Sequence, residues 1–153
     1  MTTFKAKVVE DIPAYRLVGL GGIHQDPEEG WDTPLLIPSR LGWIPDFVTS
    51  RELKAGEYVT VTVKDEPVWA VEAAEDLRAG TLVQSDEDGR VRHYNPSNGP
   101  HFGYTVHSAK AGEVVKVVRK YGGAYPQSQI DAMTQKETKP KRGRKKAKAD
   151  GEE

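Results

Sequence analysis

The sequence predicts a mainly β protein in which small barrel-like or sandwich-like units follow one another in tandem. Apolar and polar residues alternate with a period of two in several segments, most cleanly where Val59, Val61 and Val63 alternate with Tyr58, Thr60 and Thr62. The 15 glycines and 10 prolines among 153 residues supply many turns. No window before residue 125 carries the 3.6-residue apolar period of an amphipathic helix.

Three blocks of the chain return later in the same order. The paired segments are 10–18 with 75–83, 41–43 with 102–104, and 54–62 with 110–118. Five of nine positions are identical in the first pair and six of nine in the last. The Ala-Gly-Glu turn in the last pair is common in β proteins, because glycine supplies the open φ of a tight turn. An ordered series of three matches is less easily generic, and it predicts a duplicated unit.

The individual elements follow from local patterns. Phe4, Ala6 and Val8 alternate with lysines, which is typical of a strand. Pro45 breaks an apolar run and places it at a sheet edge or a bulge. The turn that ends in Gly89 is typical of a β-hairpin. The predicted strands cover 12–22, 41–48, 57–64, 68–71, 82–83, 91–94, 102–107 and 113–121.

These elements divide the chain into four predicted segments. They are an N-terminal arm at 1–9, a first β unit at 10–65 with a long loop at 24–40, a second β unit at 66–124, and a short helix or coil at 125–153 that continues as a disordered basic tail. Proline, glycine and acidic residues concentrate in the loop, and a turn before Pro67 joins the units. The tail lacks apolar side chains that could be buried.

Composition excludes several classes of protein. The chain has no cysteine, which rules out disulfides, thiolate metal sites and cysteine nucleophiles. No apolar run approaches the roughly 18 residues that a membrane-spanning helix needs. The first seven residues lack the apolar stretch of a signal peptide. We therefore expect a protein made in a cytoplasm, with no membrane partner.

The net charge of −1 conceals an acidic body and a basic tail. Residues 136–153 carry eight basic and four acidic groups, whereas the other residues sum to −5. Such a tail can hold phosphates through counterion release, or it can act as a flexible solubilising segment on an acidic surface. The candidate residues for binding nucleic acid or an acidic surface are Lys141, Arg142, Arg144, Lys145 and Lys146.

No motif predicts catalysis or a bound cofactor. The histidines His24, His93, His101 and His107 lack the spacing of a metal-binding cluster. The acidic residues of the 24–40 loop do not fit an EF-hand loop, and no serine lies in a nucleophile elbow. We therefore predict a protein that is not an enzyme and that takes no cofactor, no metal and no small-molecule substrate. Trp31, set among proline and acidic residues, is instead a candidate for an exposed contact residue.

The second unit resembles a known family in four segments. They are Glu75-Asp76-Leu77-Arg78-Ala79-Gly80-Thr81-Leu82-Val83, Asp88-Gly89-Arg90-Val91, Phe102-Gly103-Tyr104-Thr105-Val106 and Ala109-Lys110-Ala111-Gly112-Glu113-Val114-Val115-Lys116-Val117. This layout resembles the small β-rich decoration, or cement, proteins of tailed bacteriophage heads, over about 50 residues. The first unit shares it more weakly, because of its long loop.

The resemblance implies a structural virion protein on the capsid exterior that binds the major capsid protein and bridges neighbouring capsid subunits. It also implies self-association at capsid symmetry axes and an N-terminal arm that adds a strand to a capsid sheet. We expect the binding surface in the arm and the first unit. The predicted capsid-binding residues are Thr2, Thr3, Phe4, Lys5, Lys7, Trp31, Leu35, Leu36, Trp43 and Pro45.

Two other functions remain open at the level of the sequence. A nucleic-acid-associated protein would use the basic tail as its binding arm, and its binding to duplex DNA would depend steeply on salt. A small β-barrel accessory domain of an enzyme would instead place polar groups with shifted pKa values in a cleft.

Overall fold

The computed structural model describes residues 2–26, 31–64, 66–120, 126–134 and 136–137, and it is mainly β, as predicted. The strands are β1 (Thr2–Val8), β2 (Leu17–Asp26), β3 (Trp31–Pro38), β4 (Phe47–Val48), β5 (Tyr58–Val63), β6 (Val68–Glu72), β7 (Leu82–Ser85), β8 (Val91–His93), β9 (Gly103–Thr105), β10 (Val114–Arg119) and β11 (Lys136–Glu137). A 3₁₀ turn covers Pro96–Asn98, and helix α1 covers Gln127–Thr134. Within these described ranges, no helix is long and apolar enough to span a bilayer.

The first sheet contains β1–β5, which we call the first unit. Its strand order is β11-β2-β3-β1-β5, and β4 also pairs with β2. Strand β1 lies between β3 and β5, and it pairs with β5 in an antiparallel register from Thr2–Val63 to Lys7–Tyr58. Ala6 and Val8 point into the core and are fully buried, because the alternation of the sequence matches the pleat.

The second sheet contains β6–β10, which we call the second unit. Its strand order is β6-β10-β9-β7-β8. A parallel bridge between Ala73 and Val91 joins the end of β6 to β8, and the Ala74 N–H donates to the Val91 carbonyl at 2.8 Å. The last strand of the order thereby meets the first, and the five strands close into a small barrel.

The two units share their turn chemistry residue by residue. The Asp11 carboxylate accepts from the Ala55 N–H at 2.9 Å, and the Asp76 carboxylate accepts from the Ala111 N–H at the same distance. The bridge between Ile12 and Leu53 has its counterpart in the bridge between Leu77 and Ala109. The sequence blocks 10–18 and 75–83, and likewise 54–62 and 110–118, thus occupy equivalent places in the two sheets.

Buried threonine hydroxyls extend this equivalence to the outer strands. The Thr49 hydroxyl donates to the Pro13 carbonyl at 2.8 Å and accepts from the Arg16 N–H at 3.0 Å. In the second unit, the Thr105 hydroxyl makes the same two bonds with Arg78 and Thr81, at 2.6 and 3.0 Å. Thr49 and Thr105 are equivalent, so β4 corresponds to β9.

Each unit has its own apolar core, and backbone hydrogen bonds join the two. The Glu72 N–H donates to the Tyr15 carbonyl at 2.9 Å, and the Leu17 N–H donates to the Gly89 carbonyl at 2.7 Å. Leu17 is fully buried and belongs to the core of the second unit, although β2 lies in the first sheet. The Arg16 guanidinium also meets the Glu72 carboxylate at 3.3 Å across this boundary.

The structure corrects three sequence-based expectations. The segment at 1–9 is not a separate arm, because β1 belongs to the first sheet, where it pairs with β5 from Thr2 to Lys7 and with β3 at Lys7 and Val8. The segment at 24–40 is not mainly a loop, because β2 and β3 form a hairpin whose register runs from Val18–Pro38 to Asp26–Trp31. The block at 41–43 does not match 102–104, because Phe47 and Val48 occupy the places of Gly103 and Tyr104.

Helix α1 is fastened to the first unit by a buried glutamine. The Gln129 side chain accepts from the Ile44 N–H at 2.7 Å and donates to the Ile44 carbonyl at 2.6 Å. The Trp43 indole N–H donates to the Ser128 hydroxyl at 3.1 Å. The helix lies within the segment where the sequence predicts a short helix or coil. Beyond it, Lys136–Glu137 adds a short parallel strand beside β2, and the remaining predicted basic tail lies outside the described residues.

Candidate functional site

The two units differ at one place, which we call the seam, between β4 and β5. In the second unit, β9 pairs with both β7 and β10, and Tyr104 lies opposite Val118. In the first unit, β4 pairs with β2, but among the described residues it makes no ladder with β5. The first unit is therefore the same barrel opened along one seam, and the opening is a groove of about 640 Å³.

One pair of equivalent residues accounts for the open seam. Gly103 of β9 lies so close to β10 that a Cβ atom would overlap the Val118 carbonyl oxygen and lie 2.7 Å from Val117 Cγ1. Phe47 stands at this position in β4, and its ring packs 6.0 Å from the Phe4 ring, centroid to centroid. Because a phenylalanine cannot fit where only a glycine does, β4 cannot approach β5 as β9 approaches β10.

The interior of the seam is apolar and contains one half-buried carboxylate, that of Asp46. Val18, Leu36 and Val59 line it and belong to the core of the first unit. Asp46 stands where the second unit has Phe102, because both residues donate their backbone N–H to an equivalent carbonyl, Val18 for Asp46 and Val83 for Phe102.

Asp46 is an ionisable group in this apolar lining. Burial raises the pKa of Asp46 above its ordinary value, and the Leu20 N–H, which donates to Oδ2 at 3.2 Å, opposes this rise. A carboxylate in the place of a core phenylalanine makes the seam more polar than the closed core of the second unit.

Among the described strands, β5 pairs only with β1, and its other edge faces the seam. The Val8 N–H donates to the Glu57 carbonyl at 2.8 Å, so the antiparallel alternation directs the backbone groups of Val59, Val61 and Val63 toward β1. The N–H and C=O groups of Thr60 and Thr62 then point away from β1. In the second unit the corresponding carbonyl, that of Lys116, accepts from the Val106 N–H at 3.1 Å.

The end of the groove near the carboxyl end of β5 carries charge. Lys64, Glu66 and Arg119 line it together with Trp69. The Arg119 guanidinium lies 4.4 Å from the centre of the Trp69 ring, a cation–π contact. Arg119 Nε is buried and has no hydrogen-bond partner among the described residues. Among the described residues that line this end of the seam, two are cations, Lys64 and Arg119, and one is a carboxylate, Glu66.

The predicted capsid-binding residues fall into three groups. Leu35, Leu36, Trp43 and Pro45 are buried in the first unit, and Leu36 also lines the seam, so their contact with the capsid stays a prediction. Thr2, Thr3 and Lys5 are exposed on β1, and Phe4 and Lys7 are half-buried. Trp31 begins β3, and its side chain lies outside the described part of the structure, as do Lys141, Arg142, Arg144, Lys145 and Lys146.

Sequence reasoning missed the residues of the seam itself. It assigned 57–64 to a strand but gave no sign that this strand has an unpaired edge. Aligning 47–48 with 103–104 would have exposed the exchange of a phenylalanine for a glycine. The short block around Gly42 concealed this alignment, because it also contains a glycine before an aromatic residue.

Polar chemistry elsewhere gives no second candidate site. Within the described ranges, no three histidine or acidic side chains come together as metal ligands. His93 meets the Glu75 carboxylate at 2.8 Å on the surface, and the Glu75 carboxylate also accepts from the His93 N–H at 2.8 Å. Glu75 and His93 therefore bond to each other, an arrangement that is typical of a surface turn.

Comparison with models of known protein families identifies the family of this chain. The family model described as head fiber protein matches residues 1–146. The chain belongs to the head fiber protein family. Membership confirms that this is a phage head protein and a component of the virion, the class to which the resemblance pointed.

Two curated members of the head fiber protein family are similar to the chain. It is 38% identical over 74 residues to the head fiber protein of Bacillus phage Nf, and 38% identical over 74 residues to the capsid fiber protein of Bacillus phage B103. Each match covers 48% of this chain, but only 28% of the first relative and 26% of the second. The chain thus matches about a quarter of the length of these relatives.

A solved structure of the family has the same fold. The crystal structure of the N base of the head fiber gp8.5 of bacteriophage phi29 superposes with a TM-score of 0.65 at 25% sequence identity. The superposition covers 78% of this chain and 93% of that base. Nearly the whole phi29 base therefore has a counterpart here.

Proposed function

We propose that this chain is the base of a phage head fiber, a structural protein that attaches to the outside of the capsid. The observation that carries the proposal is the match to 93% of a domain named as the N base of a head fiber. A base must hold the fiber to the shell, and it acts by buried interface area and hydrogen bonds rather than by catalysis.

We further propose that the two units arose by duplication and that together they bridge neighbouring subunits of the major capsid protein. The shared turn bonds of Asp11 and Asp76 support a common origin. The backbone bonds between the units support bridging, because a stiff connection lets a second contact form at high effective concentration. Self-association at a capsid symmetry axis is part of this proposal, since identical shell sites favour symmetric assemblies.

The exposed residues of β1 are one part of the contact surface that the sequence predicted. Thr3 and Lys5 lie on the outer face of the first sheet, opposite Thr62 and Thr60 of β5. We propose that both contact the capsid through their exposed side chains. The expected contribution of Lys5 at an exposed rim is about 0.5 kcal/mol, and it would weaken with salt.

The test is binding of the purified chain to phage heads that lack the fiber. We expect co-sedimentation with the heads and a rise in their unfolding temperature. A variant that ends at residue 137 separates the two rival partners, because capsid attachment through the units survives the truncation. Loss of head binding in the truncated chain, together with salt-dependent binding of duplex DNA by the intact chain, would favour the nucleic-acid function instead.

A further inference from the structure

The open seam has a template for its occupant inside the same molecule. In the second unit, the edge of β10 is covered by β9, a short extended segment that runs antiparallel to it. The equivalent edge of β5 has the same outward backbone groups, because β1 and β6 hold the two strands in equivalent registers. What fits beside β5 is therefore one extended strand.

The walls of the groove leave room for a single strand but not for a whole sheet. Residues 47–51 line one side of the seam and β5 lines the other, while Trp69 and Arg119 close the end. A second copy of the chain could offer its own β5 edge only as part of a complete sheet, which these walls would obstruct. A single extended segment can enter, with alternate side chains on the apolar interior of Val18 and Val59.

The charged end of the groove selects the chemistry of that segment. In the antiparallel arrangement, the amino end of the segment lies beside Val63 and hence near Lys64 and Arg119. Among the described lining residues, Glu66 is the one carboxylate beside these two cations, and Arg119 Nε has no hydrogen-bond partner in the same part of the chain. A carboxylate near the amino end of the segment would supply an acceptor and balance the charge.

We propose that the seam of the first unit receives an extended segment of another protein, with apolar side chains at alternate positions and a carboxylate near its amino end. The segment pairs with the outward groups of Thr60 and Thr62 and lies as an additional strand between β4 and β5, which is recognition by strand addition. The identity of the donor rests on the proposed function, under which it is a protein of the capsid shell; the strand-accepting seam does not.

The test uses a peptide that carries residues 102–106 of this chain after a glutamate, Glu-Phe-Gly-Tyr-Thr-Val, acetylated and amidated. Amide hydrogen exchange is followed residue by residue in the full chain. We expect saturable protection of the Thr60 and Thr62 amides, with no change at Val59 and Val61. A control peptide with lysine in place of the glutamate should bind about fivefold more weakly, as expected for one lost ion pair.

Two variants at one position separate strand addition from side-chain contact. Thr60→Pro removes an outward N–H from an edge where proline is tolerated, and we expect it to weaken peptide binding by about tenfold or more. Thr60→Lys keeps the N–H and replaces the same exposed side chain, so binding should stay within about twofold of the wild type. Unchanged protection of the Val8 amide, which donates to the Glu57 carbonyl across β1 and β5, shows that each variant retains the fold of the first unit.

Three results would overturn the proposal. The first is unchanged exchange at Thr60 and Thr62 at the highest soluble peptide concentration, and the second is wild-type binding by Thr60→Pro. The third is protection of both amides in the free chain together with a dimeric mass, which would assign the seam to a second copy. A chain that binds the peptide but not phage heads would refute the capsid function and leave the seam intact.

Discussion

The second unit is a closed barrel and the first is the same barrel left open, although their turns are bonded alike. Both place an aspartate on the Ala-Gly turn and a threonine hydroxyl under the outer strand. They differ where β4 and β9 cross the neighbouring strand, with Phe47 in one and Gly103 in the other. Closure of a small barrel is thus decided by the one position where two backbones must nearly touch.

A second difference concerns what supports each unit. The second unit closes through its own strands, whereas the first leaves a groove and is buttressed by helix α1 through Gln129. The open unit therefore depends on a later part of the chain. This division assigns stability to the second unit and a binding groove to the first, and five predictions test it.

The largest effect is expected from Gly103→Ala. The added Cβ would overlap the Val118 carbonyl, so β9 must separate from β10, at a cost of about 3 kcal/mol in the free energy of unfolding. Phe47→Ala is the matched control, and because Phe47 is only half-buried it should cost about 1.5 kcal/mol. Urea denaturation measures both, and a smaller cost for Gly103→Ala would refute the account of closure.

The second-largest loss of stability is expected when the contact of helix α1 with the first unit is removed. Gln129→Ala leaves both the N–H and the C=O of Ile44 unpaired in a buried site, which should cost about 2.5 kcal/mol. Gln127→Ala, an exposed change in the same helix, should stay within about 0.5 kcal/mol. Thermal unfolding followed by circular dichroism compares the two, and equal losses would show that the helix does not support the first unit through Gln129.

The shared threonines should respond alike. Thr49→Val and Thr105→Val each keep the shape of the side chain and remove a hydroxyl that bonds two backbone groups, at about 1.5 kcal/mol each. Denaturant midpoints of the two variants test the equivalence of the units. A difference above about 1 kcal/mol between their losses in the free energy of unfolding would mean that the two hydroxyls contribute differently to stability.

A smaller change in stability is expected at a turn residue that has a left-handed backbone conformation in both units. Gly80 has a φ of +79° and Tyr15, at the equivalent position, has a φ of +62°. Gly80→Ala should cost about 1 kcal/mol, because alanine is strained in this region. In Tyr15→Gly, relief of strain and the added flexibility of the unfolded chain nearly cancel, and the change should stay within about 0.5 kcal/mol. Chemical denaturation resolves the two outcomes, and a large loss in Tyr15→Gly would reveal a side-chain contact.

The last prediction concerns the pH dependence of the open unit. Burial raises the pKa of Asp46 above its ordinary value of 3.8, so the folded chain binds this proton more tightly than the unfolded chain. Its contribution is therefore favourable below pH 3.8 and is lost as pH rises through the raised pKa. In Asp46→Asn, stability measured from pH 4 to 7 should decline less with pH than in the wild type. An identical slope would contradict the assigned burial.

Local patterns predicted much of this architecture. The alternation of Phe4, Ala6 and Val8 with lysines gave the pleat of β1, and the repeated Ala-Gly-Glu turn located β5 and β10. The same patterns failed for the 24–40 segment. There, proline and acidic residues indicated a loop, but Pro34 pairs with Ile23 within the β2–β3 hairpin. Pairing across the hairpin overrode the local signal, which is common because strand formation depends on neighbours.

The candidate site was less accessible from the sequence. Thr60 and Thr62 follow an ordinary strand pattern, and nothing in that pattern states whether the far edge of β5 is covered. Leu35 and Trp43 look suitable for an interface by composition, yet they are buried. Large apolar side chains serve cores and interfaces equally well, so composition alone does not separate the two uses.

The sequence by itself determined the β class, the two similar units and the turns that begin their last strands, because periodicity and turn chemistry are local properties of a chain. Only the tertiary structure decided that β1 lies inside a sheet, that Phe47 is the counterpart of Gly103, and that one barrel stays open. Those outcomes depend on the distance between backbones far apart in sequence. A glycine is required at position 103 only because β10 passes within contact distance of it.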